Sequence, residues 1–271
     1  MRVLLTGFAP FPGVPVNATM ALVAQLADRA KSRFPGARLT AGVLPTEWEA
    51  APRQMEILLA QASPDLILHF GVSSRARGFE IEQRGQNRCL LAPDAGGAFP
   101  PAMVVRAGGP EILRASLPVD YIVARLRRRG ISAFASRDAG GYLCNATLYN
   151  SLATARAQPG RRVGFIHLPA SLARPAAAGR GCTGACPLTW AQALEGGLEI
   201  LAACLNRFAV SRQGPRLRPC HRGRRGGSDE LASPSAVLPN LQPCRELRAS
   251  RSEQRRQELV ERLRWSYFSH R

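Results

Sequence analysis

A chain of 271 residues with 45% hydrophobic content holds enough apolar material for one sizeable core, and its formal net charge is +18. No stretch approaches the roughly 18 uninterrupted apolar residues of a membrane helix, and the apolar run after Met1 is too short for a signal peptide, so we expect no membrane span and a cytoplasmic protein. The charge is unevenly placed, with 23 basic and 13 acidic side chains up to residue 208 against 14 and 6 beyond it. We expect one folded domain over 1–208. The basic tail over 209–271, rich in Arg, Pro, Gly and Ser, lacks the apolar content to offset its ordering entropy, and only Ser252 to Tyr267 has the pattern of an amphipathic helix. Such charge attracts polyanions without specificity, but no basic motif interleaved with aromatics marks a dedicated nucleic-acid site. Seven cysteines, an odd number in a long chain, fit reduced thiols better than a disulfide framework. Cys182 and Cys186 have no second pair to complete a zinc site and read as a loop with two free thiols.

Arg2 to Thr6 is a short apolar run ended by Gly7, the pattern of a buried strand. A rigid loop, Gly7-Phe-Ala-Pro-Phe-Pro-Gly13, follows and displays Phe8 and Phe11. A helix then runs from about Asn17, a plausible N-cap, to Arg33. Phe8 and Phe11 lie near the end of the first strand, where ligands collect in open α/β sheets, although core packing accounts for them equally well. Arg38 to Leu44 reads as a second strand. Thr46 should cap a helix running to about Gln61, with Glu47 and Glu49 in its first turn. Pro64 to Gly71 is the clearest buried strand, and His69 inside it reads as a satisfied core histidine. Gly78 to Gln83 alternates like a hairpin or edge strand, which points Glu80 and Glu82 the same way; spacing alone leaves either as an exposed charge. Residues 95–117 read as a loop with one short strand, and Pro118 to Arg129 as a helix whose last turn, Arg127 to Arg129, is a solvated end.

Ser132 to Ser136 is a short strand, and the Asp138-Ala-Gly-Gly141 turn feeds a helix from about Asn145 to Ala157. Cys144 therefore sits near a helix N-terminus, where unpaired N–H groups favour a thiolate and can bind an oxyanion. A buried, inert thiol is the commoner fate of a lone cysteine in a helix. Arg162 to His167 is another buried strand, broken by Leu168-Pro169, so His167 lies at a strand's C-terminal end. If the sheet is parallel, Glu82, Cys144 and His167 converge on one rim from separate βα units, which brings together three residue types that thiol chemistry needs. Leu188 to Phe208 closes the domain as a helix. The pattern as a whole predicts a three-layer α/β/α sandwich around a mostly parallel twisted sheet.

The stretch S-x-D-A-G-x-Y-L-C-N-x-T-x-Y, from Ser136 to Tyr149, resembles the active-site segment of the pyroglutamyl peptidase I (pyrrolidone-carboxylate peptidase) family, and Met1 to about Phe208 follows such an enzyme without large gaps. The resemblance implies a cysteine peptidase that removes N-terminal pyroglutamate through an acyl-enzyme, with no metal or organic cofactor, and a homo-oligomer, a tetramer among the options. It makes Cys144 the nucleophile, His167 in its F-I-H-x-P strand the base, and Glu82 (with Asn87 five residues later) the orienting carboxylate. Gly7-Phe8-Ala-Pro-Phe11 with Asn17 matches the family's pocket for the pyroglutamyl ring, and Asp94-Ala-Gly96 matches its Asp-x-x-Gly region. The family usually carries a basic residue shortly before that Asp; here Leu90-Leu-Ala92 stands there, and Arg88 is the nearest cation. A weakly catalytic binder of pyroglutamyl ligands, or a polyanion binder acting through its tail, are the alternatives.

Overall fold

Alternation along the strands sets the architecture. In β1 (Arg2–Phe8), Val3 and Leu5 belong to one buried cluster and Leu4 and Phe8 to another. β3 (Leu66–Ser73) divides the same way, with Leu66, Leu68 and Phe70 against Ile67, as does β8 (Arg162–Pro169), with Ile166 and Leu168 against Val163 and Phe165. Successive strand side chains point to opposite faces, so a strand that is apolar at every position must be covered on both. α1 (Ala18–Arg33), α3 (Val119–Arg127) and α5 (Trp190–Arg212) cover the first face, and α2 (Ala50–Ala62) and α4 (Leu143–Ala155) the second. This is the three-layer α/β/α sandwich. The computed structural model describes residues 1–172 and 186–212, the last six as backbone only. Cys182 and the expected helix at Ser252 to Tyr267 lie outside the described residues.

The six-stranded sheet has the order β2-β1-β3-β8-β4-β7, with β2 at Arg38–Leu44, β4 at Phe79–Glu82 and β7 at Ala133–Ser136. β2, β1, β3 and β8 are mutually parallel, β4 is antiparallel to β8, and β7 is parallel to β4. The sheet is thus mostly parallel, yet the expectation that Glu82 arrives on the rim from a parallel strand is corrected. Only residues 74–78 separate β3 from β4, too few for the crossover that a parallel connection needs. The chain turns back instead, and β4 lies inside the sheet, not at its edge, with Glu80 opposite His167 in register. A separate antiparallel ribbon pairs β5 (Arg84–Gln86) with β6 (Ile112–Arg114), the short strand expected within 95–117.

Several boundaries move for identifiable reasons. Phe8 belongs to β1 and not to the loop, and β8 continues through Pro169. α2 starts at Ala50, without an acidic first turn. Thr46 is not its cap: its hydroxyl donates to the Ala9 carbonyl (2.8 Å) and the Trp48 N–H donates to Asp94 Oδ2 (2.8 Å), so neighbouring loops hold this segment. α5 runs on to Arg212, past Phe208.

The arginines closing α3 are not simply solvated. Arg127 Nε donates to the Ala133 carbonyl (2.8 Å) and its guanidinium lies 5.3 Å from the Phe134 ring centroid, while Arg129 pairs with Glu195 and with Glu199, each at 3.1 Å. Glu199 is fully buried, and it also pairs with Arg125 (2.5 Å) and Arg33. Burial alone would raise its pKa, but the surrounding guanidiniums, Arg125 foremost, hold it below the usual carboxylate range. One carboxylate therefore ties α5 to α1 and α3. Glu199→Ala removes the buried anion and leaves three cations crowded together, and because Arg33 and Arg129 are exposed and can be solvated the loss is expected to destabilise by about 2 kcal/mol. Urea unfolding of wild type and variant measures this, and a difference under about 1 kcal/mol would show that the cluster is solvated well enough to be dispensable.

Candidate active site

The two-residue period that builds the sheet also selects the chemistry. His167 lies two residues beyond Phe165 and shares its face of β8, beneath α4, with ring centroids 4.7 Å apart. On β4, Phe79 and Ile81 join the opposite core, so Glu80 and Glu82 face His167. His167 Nδ1 donates to Glu82 Oε1 at 2.8 Å; the carboxylate is fully buried, and its Oε2 has no hydrogen-bond partner among the described residues. Burial works against the imidazolium, but the neighbouring Cys144 sulfur and the Glu82 carboxylate outweigh it and raise the His167 pKa to about 10.

Cys144 reaches the same place from above. Asp138 Oδ1 accepts the Gly140 N–H (3.0 Å), Gly140 takes φ +81°, and the chain enters α4 with Cys144 as its second helical residue. First-turn N–H groups have no acceptor within their own helix, so they are available to an anion beside the sulfur. Gly71, the register partner of His167 on β3, clears the approach from below. A Cβ there would stand 3.1 Å from Cys144 Sγ and 2.7 Å from the Phe165 ring. A side chain at position 71 would therefore press on the Phe165 ring and require the sulfur to give by a few tenths of an ångström.

Cys144 and His167 open into a cavity of about 300 Å³ whose walls include Phe8, Phe11, Asn17 and Tyr142. Five of the six residues singled out in the sequence thus line one pocket, and the sixth, Glu82, lies buried behind His167. Phe8 is largely core, packed on Phe165 with centroids 6.0 Å apart, while Phe11 stacks toward Tyr142 at 6.3 Å. Asn17 caps α1 as expected, its Oδ1 accepting from the Thr19 N–H (3.2 Å) and hydroxyl (2.8 Å), and its Nδ2 donates to the Ala9 carbonyl (3.2 Å). It thereby fixes the loop that carries Phe11.

Sequence reasoning passed over Tyr142. Its ring makes an edge contact with Trp48 (5.3 Å) and its hydroxyl donates to the Pro93 carbonyl (3.2 Å), so it joins the 93–94 loop to the cavity wall. Burial, with help from Asp94 and Cys144, raises its pKa to about 12, so it stays a neutral phenol. Its place two residues before Cys144 was the available signal. Asn87 and Asp94 are structural: Asn87 Nδ2 donates to the Arg106 and Gly109 carbonyls, and Asp94 accepts the Gly96 and Ala98 N–H groups in addition to that of Trp48. Arg88 pairs with Asp138 (2.8 Å) and does not line the cavity; the guanidinium at its wall is that of Arg75. Glu80 lies at the wall too, half-buried, and brings a ligand atom within 4.8 Å of those of Glu82 and His167. Glu82 and His167 are already bonded to each other, so the trio reads as an imidazole–carboxylate pair beside a second acid.

His69, two residues from Gly71, is the buried structural histidine expected. Its Nδ1 meets the Thr6 hydroxyl at 2.6 Å and its Nε2 the Ser151 hydroxyl at 3.0 Å, and burial lowers its pKa to about 3. The unfolded chain binds a proton on this ring near pH 6.5 and the folded chain does not until about 3, so stability is expected to fall as pH drops through that window, by up to about 1.4 kcal/mol per pH unit. Acid unfolding of His69→Gln should lack this share of the slope. An unchanged slope would assign the acid sensitivity to other groups.

Residues 1–197 match the family described as Pyroglutamyl peptidase. A pyrrolidone-carboxylate peptidase from Gloeobacter violaceus is 36% identical over 170 residues, which span 62% of this chain and 82% of that protein. One from Klebsiella pneumoniae is 33% identical over 199 residues, 73% of this chain and 91% of its own length. Among solved structures, a mutant pyrrolidone carboxyl peptidase from Pyrococcus furiosus superposes with TM-score 0.68 at 27% identity, covering 76% of this chain and 99% of that one. Pyroglutamyl peptidase I from Bacillus amyloliquefaciens superposes with TM-score 0.66, also at 27% identity, covering 75% and 96%. By sequence match and by fold, this chain belongs to the pyroglutamyl peptidase family.

Proposed function

We propose that this protein is a cysteine peptidase that hydrolyses the bond after an N-terminal pyroglutamyl residue. One observation carries the reading: Cys144 at the head of α4, His167 and the buried Glu82 are brought together beside a pocket walled by the rings of Phe8, Phe11 and Tyr142, with the charged side chains of Arg75, Glu80 and Asp138 also lining it. A lactam has lost the charged α-amine that other aminopeptidases grip, and Phe8, Phe11 and Tyr142 suit its neutral ring. In the proposed mechanism the Cys144–His167 pair holds its proton on the imidazole, and the thiolate attacks the pyroglutamyl carbonyl. The new C–S bond places negative charge on the carbonyl oxygen, which the first-turn N–H groups of α4 stabilise. As the tetrahedral intermediate collapses, the C–N bond breaks and His167 gives its proton to the departing amine. Water then attacks the thioester, His167 takes a proton from it, and pyroglutamate leaves as Cys144 is regenerated. Glu82 fixes the tautomer and charge of the ring throughout.

Residues 1–208 form the catalytic unit in this reading, and 209–271 take no part in the chemistry. We assign the protein to the cytoplasm as a homo-oligomer, with a tetramer among the options. The free thiols of Cys89, Cys144, Cys186 and Cys204 support a reducing compartment. Among the described residues, no helix is long and apolar enough to cross a membrane. The test is release of a chromogenic amine from a pyroglutamyl amide, abolished by a thiol reagent; absence of release with well-folded protein would overturn the reading. A second reading, binding with weak turnover, is favoured by Arg88, which pairs with Asp138 and does not itself line the cavity. A low kcat with an ordinary KM in the same assay would select it.

A further inference from the structure

We propose that the cleft between the β5–β6 ribbon and the start of α3 binds a diphosphate-bearing anion, an inference that does not rest on the peptidase activity. The cleft encloses about 530 Å³, within the range of small-molecule sites, and its walls include Gln83, Arg84, Arg114, Asp120, Tyr121 and Arg137. Arg84 and Arg114 are direct cross-strand partners. Like charges opposite each other destabilise a strand pair, and here a third guanidinium, that of Arg137, lines the same cleft. Among the described residues none of the three makes a salt bridge.

Two of them are oriented through Nε. Arg84 Nε donates to the Arg137 carbonyl at 2.7 Å, and Arg137 Nε donates to Gln83 Oε1 at 3.1 Å. These bonds hold the side chains in place and leave their terminal nitrogens to a ligand. The acid in the cleft is Asp120, in the first turn of α3, so three cations face one carboxylate. Guanidinium forks match phosphoryl oxygens in bidentate geometry. Two forks on one rung and a third on the adjoining strand-to-helix turn suit two linked phosphoryl groups better than a single carboxylate. The diphosphate could be inorganic or belong to a nucleotide, whose base would find the exposed side chains of Tyr121 and Ile112 on the same wall.

Isothermal titration of the full chain with inorganic pyrophosphate, ADP and inorganic phosphate at about 0.15 M salt tests this. Pyrophosphate should bind saturably and more tightly than phosphate, and Arg114→Ala, an exposed position outside the catalytic pocket, should weaken it by about tenfold, the loss of one charge-assisted contact. Arg137→Ala should do the same, with circular dichroism confirming that both variants fold. Binding by the basic tail would be indifferent to either substitution. ADP tighter than pyrophosphate assigns the site to a nucleotide, and equal affinities assign it to the inorganic anion. Failure of pyrophosphate to bind saturably, or equal affinity in wild type and both variants, would overturn the proposal.

Discussion

Cys144→Ser is expected to lower kcat/KM for a pyroglutamyl amide by at least about four orders of magnitude, while the thermal midpoint stays close to that of the wild type. The substitution changes one atom, and the pocket above Gly71 accepts the smaller oxygen without rearrangement. What disappears is the nucleophile: a serine hydroxyl does not give up its proton to His167 as a thiol does, so attack on the amide carbonyl has no anion to begin it. Alkylation offers a second readout on the wild type. Iodoacetamide should inactivate in step with incorporation of one equivalent at Cys144, whatever label other accessible cysteines take up, while burial raises the pKa of Cys89 to about 11 and that of Cys204 to about 12 and leaves both inert at neutral pH. Activity lost with label confined to Cys182 or Cys186, or a serine variant that kept substantial turnover, would sink the assignment.

His167→Ala should be nearly as damaging, because the ring carries the proton from nucleophile to leaving amine. Glu82→Gln should cost less, since an orienting carboxylate is not consumed in the transfer. The pH profile separates the two roles. With the His167 pKa held at about 10, the wild type should keep its activity into alkaline solution and lose it as the ring deprotonates. Removing the Glu82 charge withdraws one of the groups that raise this pKa, so the alkaline limb of Glu82→Gln should move to lower pH. Linkage runs with the same sign: a raised histidine pKa contributes stability that is complete below about 6.5 and is lost as pH climbs through the folded value. A variant profile that kept its alkaline limb in place would show that Glu82 does not act through the ring. Loss of turnover in His69→Gln with retention in His167→Ala would mean that the base was misassigned, although the hydroxyl partners of His69 at both nitrogens argue for a purely structural role.

The sequence by itself determined the layering and the places of Cys144 at a helix head and His167 near the end of a buried strand. Unbroken apolar runs at β1, β3 and β8 can be buried only between two helical layers, and the Asp138-Ala-Gly-Gly141 turn before a helical period puts Cys144 at a helix head whatever surrounds it. These are local properties, readable because periodicity and turn chemistry act within a few residues. Glu82 was legible as a candidate beside Glu80, but spacing could not choose between them. Tertiary structure decided the features that depend on long-range pairing: that β4 returns antiparallel and sets Glu82 behind the ring of His167, that Tyr142 reaches across to Pro93 and walls the pocket, and that Arg88 turns to Asp138 while Arg75 takes the cavity edge. The helix-end arginines are a further case, since nothing near positions 127–129 announces that Glu195 and Glu199, more than sixty residues on, will meet Arg129. Strand direction, cross-strand register and the partner of a long charged side chain depend on which segments the closed core brings together, and that information resides in no single stretch of chain.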